Sequence, residues 1–158
     1  MSKLRKTIMR NGSRQSMGFS LTELLIVVAI ILLIAGVAIP NLLKARKSAN
    51  EGSATASMRT IGSGELLYRS VQGMFTTLTG LSEDGVIDNV LGSGTKGGYL
   101  FEATPGAVAK VQFTASAMPQ ISTGSAASGN RFFWLDETQI IRYNVGAAAT
   151  STSKAIGE

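Results

Sequence analysis

An uninterrupted apolar segment near the N-terminus limits what this chain can fold into. From Leu24 to Ile39 no side chain is charged or strongly polar, and Glu23 is the sole charged residue between Phe19 and Leu43. At 1.5 Å per residue, a helix of about 20 residues crosses the roughly 30 Å hydrocarbon core of a bilayer. The segment therefore predicts a membrane-spanning helix.

The positive charge of the chain is concentrated before that helix. Residues 1–18 contain no acid and hold five of the 15 basic residues, namely Lys3, Arg5, Lys6, Arg10 and Arg14. Because basic flanks stay in the cytoplasm, they predict a cytoplasmic N-terminus, although Lys44, Arg46 and Lys47 on the far side weaken this inference. The rest of the chain is neutral, with 10 acids matched by as many bases. It therefore lacks the charge pattern of a nucleic-acid-binding protein.

The residue types that carry most enzyme chemistry are missing. The chain has no cysteine and no histidine, which excludes disulfides, Cys/His zinc sites, cysteine nucleophiles and Ser-His-Asp triads. The acids are scattered singly and form no acid–base pair. Glu83, Asp84 and Asp88 lack the regular spacing of an EF-hand calcium loop, which favours a solvated turn. We therefore predict no enzyme, no cofactor and no metal site.

Glu23 distinguishes a plain membrane anchor from a helix that pairs with other copies in an assembly. A charge at bilayer depth costs about 3 kcal/mol, so this carboxylate either reaches the headgroups or finds a positive partner. Cleavage after Gly18 would create such a partner, the α-amino group of Phe19, within about one helical turn. A neighbouring copy displaced along a filament could then pair its amine with Glu23. An ordinary secretory signal, with the small residues 36–38 at its cleavage site, fits less well because Ile39-Pro40 is a poor start for a mature chain.

The sequence from Gly18 to Ile30, GFSLTELLIVVAI, resembles the prepilin cleavage and methylation motif of type IV pilins and pseudopilins. The resemblance implies that a membrane prepilin peptidase cuts between Gly18 and Phe19 and N-methylates Phe19, and that Glu23 guides docking into a growing filament. It also implies the further partners of such a subunit. These are copies of itself in a helical homopolymer, an inner-membrane assembly platform with its ATPase machinery, and the lipid bilayer before assembly.

The predicted helix has one local weakness. Proline lacks an N–H and its ring crowds the carbonyl four residues back, so Gly36 and Pro40 predict a kink or a local helix break. In the family a similar segment loses helicity inside filaments. Two positions depart from the family pattern: Thr22 stands where many members carry isoleucine, and Leu32 where many carry a helix-weakening glycine.

Beyond Pro40 the helical periodicity continues to about Val71. Gly52, Gly62 and Gly64 each cost roughly 1 kcal/mol relative to alanine, so this half needs tertiary packing, and its small residues allow close backbone approach. An approximate apolar stripe is formed by Leu42, Ala45, Ala49, Ala56, Met58, Ile61, Leu67 and Val71.

The last part of the chain carries strand signals. They lie in residues 98–103, 108–118 and 131–143. In the second of these segments, Val111, Phe113, Ala115 and Ala117 alternate with polar residues. A hairpin turn is predicted at 136–138. Residues 72–98 read as a loop with one short helix or strand, 121–130 as a polar loop and 146–158 as a weakly structured tail. The predicted fold class is α+β, the pilin fold: a long N-terminal α-helix, first membrane-spanning and then amphipathic, packed on a small antiparallel β-sheet.

We divide the chain into a cleaved cytoplasmic leader (1–18), a transmembrane and filament-core helix (19–43), its amphipathic continuation (44–72) and an extracytoplasmic loop and sheet domain (73–158). The leading hypothesis is a structural subunit of a type IV pilus-like filament. It would be stored in the inner membrane with its C-terminal domain in the periplasm, and displayed on the cell surface after assembly. The alternatives are a pseudopilin of a type II secretion system and a membrane-anchored binding domain.

Overall fold

A computed structural model describes residues 18–157. The basic stretch 1–17 of the predicted leader and Glu158 lie outside the described residues. The main helix, α1, spans Leu21–Gln72 and has 52 residues, which confirms the predicted helix end to within one residue. By its contacts the chain divides after Ala38 into two compact units.

The first unit contributes the N-terminal part of α1. Between Gly18 and Ala38 only Ala35 is even half-buried; every other residue is exposed. α1 is the one helix in the described part of the chain that is long and apolar enough to cross a membrane, and none of its most apolar window is buried inside the protein.

In the second unit, α1 buries one face against the rest of the domain. Ala54, Met58, Ile61 and Glu65 lie on that face at the three- and four-residue spacing of a helix, and each is at most 1% exposed. The predicted stripe is right at Met58 and Ile61 and wrong at the remaining positions, which are exposed: Leu42, Ala45, Ala49, Ala56, Leu67 and Val71. The sequence did not reveal the buried face of α1 because this face also contains Ser57, two glycines and a glutamate, which a search for apolar residues leaves out.

Those two glycines let the domain approach the backbone of α1. A Cβ at Gly62 would lie 2.9 Å from Leu135 Cδ2 and would also collide with the Gln139 side chain, and one at Gly64 would lie 3.2 Å from Val86 Cγ1. A Cβ at Gly52 would meet nothing. The predicted close approach is therefore confirmed at Gly62 and Gly64, whereas Gly52 has no packing reason to be a glycine.

Six antiparallel strands form one sheet in which every strand pairs with the next along the chain. On β2 and β3, alternate residues are buried. The predicted alternation is confirmed at Phe113, Ala115 and Ala117 and is wrong at Val111, which lies before β3 and is exposed. The predicted α+β class is confirmed. The strands are β1 (Thr95–Lys96), β2 (Tyr99–Pro105), β3 (Phe113–Pro119), β4 (Arg131–Asp136), β5 (Arg142–Val145) and β6 (Lys154–Ala155).

Three local predictions need correction. Residues 72–98 hold two short helices, α2 (Leu78–Glu83) and α3 (Asn89–Gly92), as well as β1, because Thr77 and Asp88 cap helices that the glycine content concealed. Residues 108–112 form turns before β3. The tail contains β6, which pairs with β5.

The core of the domain lies between α1 and the sheet. Its largest fully buried side chains include Tyr99, Phe75, Phe113 and Phe133, and the Phe75 and Phe113 ring centroids are 4.7 Å apart. Trp134, next to Phe133 on β4, points to the other face and is half-buried. The aromatic run of β4 thus serves the core and the sheet faces.

Candidate processing and assembly site

The residues around the predicted cleavage point are accessible. Gly18, Phe19 and Ser20 precede α1 without regular secondary structure, and Phe19 is 81% exposed. A Cβ at Gly18 would meet nothing within 4 Å. Since packing does not demand a glycine here, a requirement for Gly18 would come from recognition by another protein.

Glu23 closes the first turn of α1. The backbone N–H of Ser20 donates to Glu23 Oε2 at 3.0 Å, and the N–H of Thr22 donates to Ser20 Oγ at 3.3 Å. A serine before the helix and a glutamate three residues later form a capping box, in which side chains satisfy the N–H groups that a helix start leaves open. The negative charge also lies at the positive end of the helix dipole. Glu23 therefore has a structural role in the single chain, beside the predicted role in assembly.

The helix that follows presents a continuous apolar surface. Each large apolar side chain from Leu24 to Ile39 is exposed by at least 46%, the value for Val28, and by up to 74%, the value for Leu33. Exposed apolar area is unfavourable in water by roughly 25 cal/mol per Å², and contiguous patches of this extent mark membrane or protein contacts. This surface requires a bilayer or other helices around it.

α1 is continuous through Gly36 and Pro40 in the single chain. Pro40 has no N–H to donate to the Gly36 carbonyl, and a Cβ at Gly36 would meet nothing within 4 Å. These are local weaknesses, and a helix break at this position stays a prediction for the assembled state.

The acids after α1 serve the local structure. Asp88 accepts a hydrogen bond from the Leu91 N–H at 2.9 Å and forms an ion pair with Lys96 at 2.8 Å; these hydrogen bonds hold the pKa of Asp88 below its ordinary value. Asp136 accepts hydrogen bonds from Thr138 in its own turn. Among residues 18–157, no three acids come together as a group that could hold a metal ion.

One ionisable residue escaped the sequence analysis. Glu65 is completely buried, and its Oε2 accepts a hydrogen bond from the Thr76 N–H at 3.0 Å. Its Oε1 has no hydrogen-bond partner among residues 18–157. Burial raises the pKa of this carboxyl to about 7, although the bond from Thr76 opposes the shift. The signal that could have found it is its position four residues after Ile61 on the buried face.

A long N-terminal helix packed on an antiparallel sheet, with an exposed apolar segment at its start, defines the pilin-like class of α+β proteins. No family model matches the chain. Among curated proteins, it is similar to the type IV wide pilus major component PilA4 of Thermus thermophilus, with 44% identity over 64 residues. This match covers 40% of the present chain and 49% of the relative, so the chain spans about half the length of the curated relative it matches. The resemblance to type IV pilins is thereby confirmed.

Proposed function

We propose that this chain is a structural subunit of a type IV pilus-like filament and has no enzymatic activity of its own. The observation that carries the proposal is the combination at the start of α1: an accessible Gly18-Phe19 bond, a carboxylate at Glu23 and an apolar helix surface that the chain itself leaves uncovered. The relative, a pilus component by its name, supports the same conclusion and favours a pilus over a secretion pseudopilus.

The apolar helix surface of the proposed subunit is covered first by lipid and later by helices of neighbouring copies. A prepilin peptidase removes residues 1–18 and methylates Phe19, and the subunit is then stored in the inner membrane with residues 19–43 in the bilayer. The assembly platform and its ATPase transfer it into the filament, where helices of neighbouring copies replace lipid around the same surface. The 44–72 helix and the 73–158 domain remain outside the membrane throughout and reach the cell surface in the filament.

In assembly, the Phe19 amine of one copy pairs with the Glu23 carboxylate of another. An unpaired carboxylate among packed apolar helices is strongly unfavourable, whereas a paired one selects a single axial offset between copies. The helix breaks locally at Gly36 and Pro40 when copies pack in the filament.

The experiment separates the capping role of Glu23 from its charge. Glu23→Gln keeps a side-chain oxygen for the Ser20 N–H and removes the charge, while Ser20→Ala removes the serine cap and keeps the charge. We expect both variants to be processed to a methylated Phe19 terminus, seen by mass spectrometry. Electron microscopy should show filaments with Ser20→Ala and none with Glu23→Gln.

Three other results would each overturn one part of the proposed function. Filaments from Glu23→Gln would overturn the proposed ion pair. A mature chain that begins elsewhere than Phe19 would overturn the processing step. Deletion that causes a secretion defect, in cells without surface fibres that contain this chain, would replace the pilus with the type II secretion pseudopilus.

A further inference from the structure

A cavity of about 610 Å³ lies beside the N-terminal end of α1 in the second unit. Its wall on α1 is formed by Leu43, Arg46 and Asn50, which follow one another at three- and four-residue spacing; Leu43 and Asn50 are half-buried and Arg46 is exposed. The opposite wall is the polar loop between β3 and β4, including Gln120 and Ser125.

The cavity is held open by defined bonds between α1 and that loop. Asn50 Nδ2 donates to the Ser128 carbonyl at 2.8 Å, and Lys47 Nζ donates to the Gly124 carbonyl at 3.4 Å. Ser128 Oγ in turn accepts a hydrogen bond from the Ile121 N–H at 3.2 Å. The loop is therefore fixed at both sides of the cavity.

The lining of the cavity suits an anion. It contains one cation, Arg46, together with amide and hydroxyl groups, and no acid. Among residues 18–157, Arg46 forms neither an ion pair nor a hydrogen bond with another side chain, so its five N–H donors face solvent. Arginine binds phosphate oxygens through two parallel hydrogen bonds, and Gln120 and Ser125 offer further donors.

The position of Arg46 along α1 indicates where this anion comes from. The segment placed in the bilayer ends at Leu43, and three residues of helix carry the chain about 4–5 Å further, which lies within the headgroup layer of about 5–7 Å beyond the hydrocarbon core. Lys44 and Lys47 lie at the same level, where basic side chains are attracted to anionic lipid headgroups.

We infer that the cavity binds the phosphate of an anionic membrane lipid, with Arg46 as its main ligand, while the subunit is stored in the bilayer. Leu43 and Ile121 in the lining provide apolar contact for the glycerol and upper acyl chain of the same lipid. This inference rests on the membrane-storage part of the proposed function.

The test uses the full chain in a neutral detergent, titrated with phosphatidylglycerol and read by native mass spectrometry. Arg46→Gln should lower lipid retention about tenfold, as expected for the loss of a charge-assisted pair, whereas Lys44→Gln, the same charge change two residues away and outside the cavity, should lower it less than twofold. A second pair of variants places a glutamate in the loop between β3 and β4. Ser125→Glu, inside the cavity, should abolish lipid retention, whereas Ser122→Glu, outside the cavity, should leave it unchanged.

The remaining outcomes decide between sources of the phosphate. If the two variants of each pair lose lipid retention equally, the lipid is attracted by diffuse charge, and the proposed binding site is overturned. Displacement of the lipid by millimolar inorganic phosphate would identify a free-phosphate site and overturn the lipid assignment. Resistance of the chain to carbonate extraction from membranes is measured first; an extractable chain refutes the membrane-storage step itself, whereas a resistant chain without lipid preference refutes the lipid site alone.

Discussion

At the scale of single residues, Glu65 makes the stability of the domain depend on pH. Its pKa rises from 4.5 to about 7 on folding because burial removes water from the carboxyl. Below pH 4.5 the group is neutral in both states and contributes no pH dependence. As the pH rises towards 7 the unfolded chain loses the proton first, so the free energy of unfolding falls, and above about 7 the loss is complete.

The variant Glu65→Gln tests this pH dependence, because its amide keeps an oxygen for the Thr76 N–H but cannot ionise. Between pH 4.5 and pH 8, the free energy of unfolding of the natural chain should fall by roughly 3 kcal/mol relative to the variant. Denaturant titrations of both proteins in detergent at the two pH values measure this difference. Parallel pH profiles would show that folding does not raise the pKa of Glu65.

At the scale of the helix, the glycines of α1 divide into two kinds. Gly62→Ala should destabilise the domain by about 1–3 kcal/mol, because the new methyl group would lie 2.9 Å from Leu135 Cδ2. Gly52→Ala is its matched control on the same helix: it meets nothing, and should stabilise the helix by up to about 1 kcal/mol. Thermal unfolding of the three proteins gives opposite shifts if this is correct, and shifts of the same sign contradict it.

The same elements show what the sequence could predict. The span of α1, the class of the sheet and the alternation on β3 follow from hydrophobic periodicity, which is strong in these segments. The face of α1 was mostly misplaced because Gly62, Gly64 and Glu65 are buried through contacts with distant residues. The helix α2 and the strand β6 depend on a cap and on pairing with β5, which short polar sequences do not reveal.

At the candidate site, the accessible Gly18-Phe19 bond and the position of Glu23 follow from local sequence. The capping bond from the Ser20 N–H to Glu23 was missed, although serine and glutamate three residues apart are its sequence signature. The cavity at Arg46 could not be predicted, because it is formed only when the loop between β3 and β4 closes on α1.

At the scale of the whole molecule, the core and the exposed apolar segment are separate in sequence. In the described part of the chain, every fully buried residue lies between Ala54 and Ala149, whereas the apolar run ends at Ile39. Residues 18–43 contain no buried residue and therefore contribute little to the stability of the folded domain. They instead determine which solvent the subunit needs, since their exposed apolar side chains require lipid, detergent or other helices.

A fragment of residues 44–158 should accordingly fold in water without detergent, remain monomeric and unfold cooperatively. Its free energy of unfolding should lie within about 1 kcal/mol of that of the same domain in the full chain in mild detergent, since the fragment retains every buried residue of the described chain. It should also retain the pH dependence set by Glu65, because Thr76 and the residues around that carboxyl are all present. Circular dichroism and analytical ultracentrifugation measure these properties. Aggregation of the fragment, or a broad non-cooperative transition, would mean that the apolar N-terminal half of α1 takes part in folding the domain.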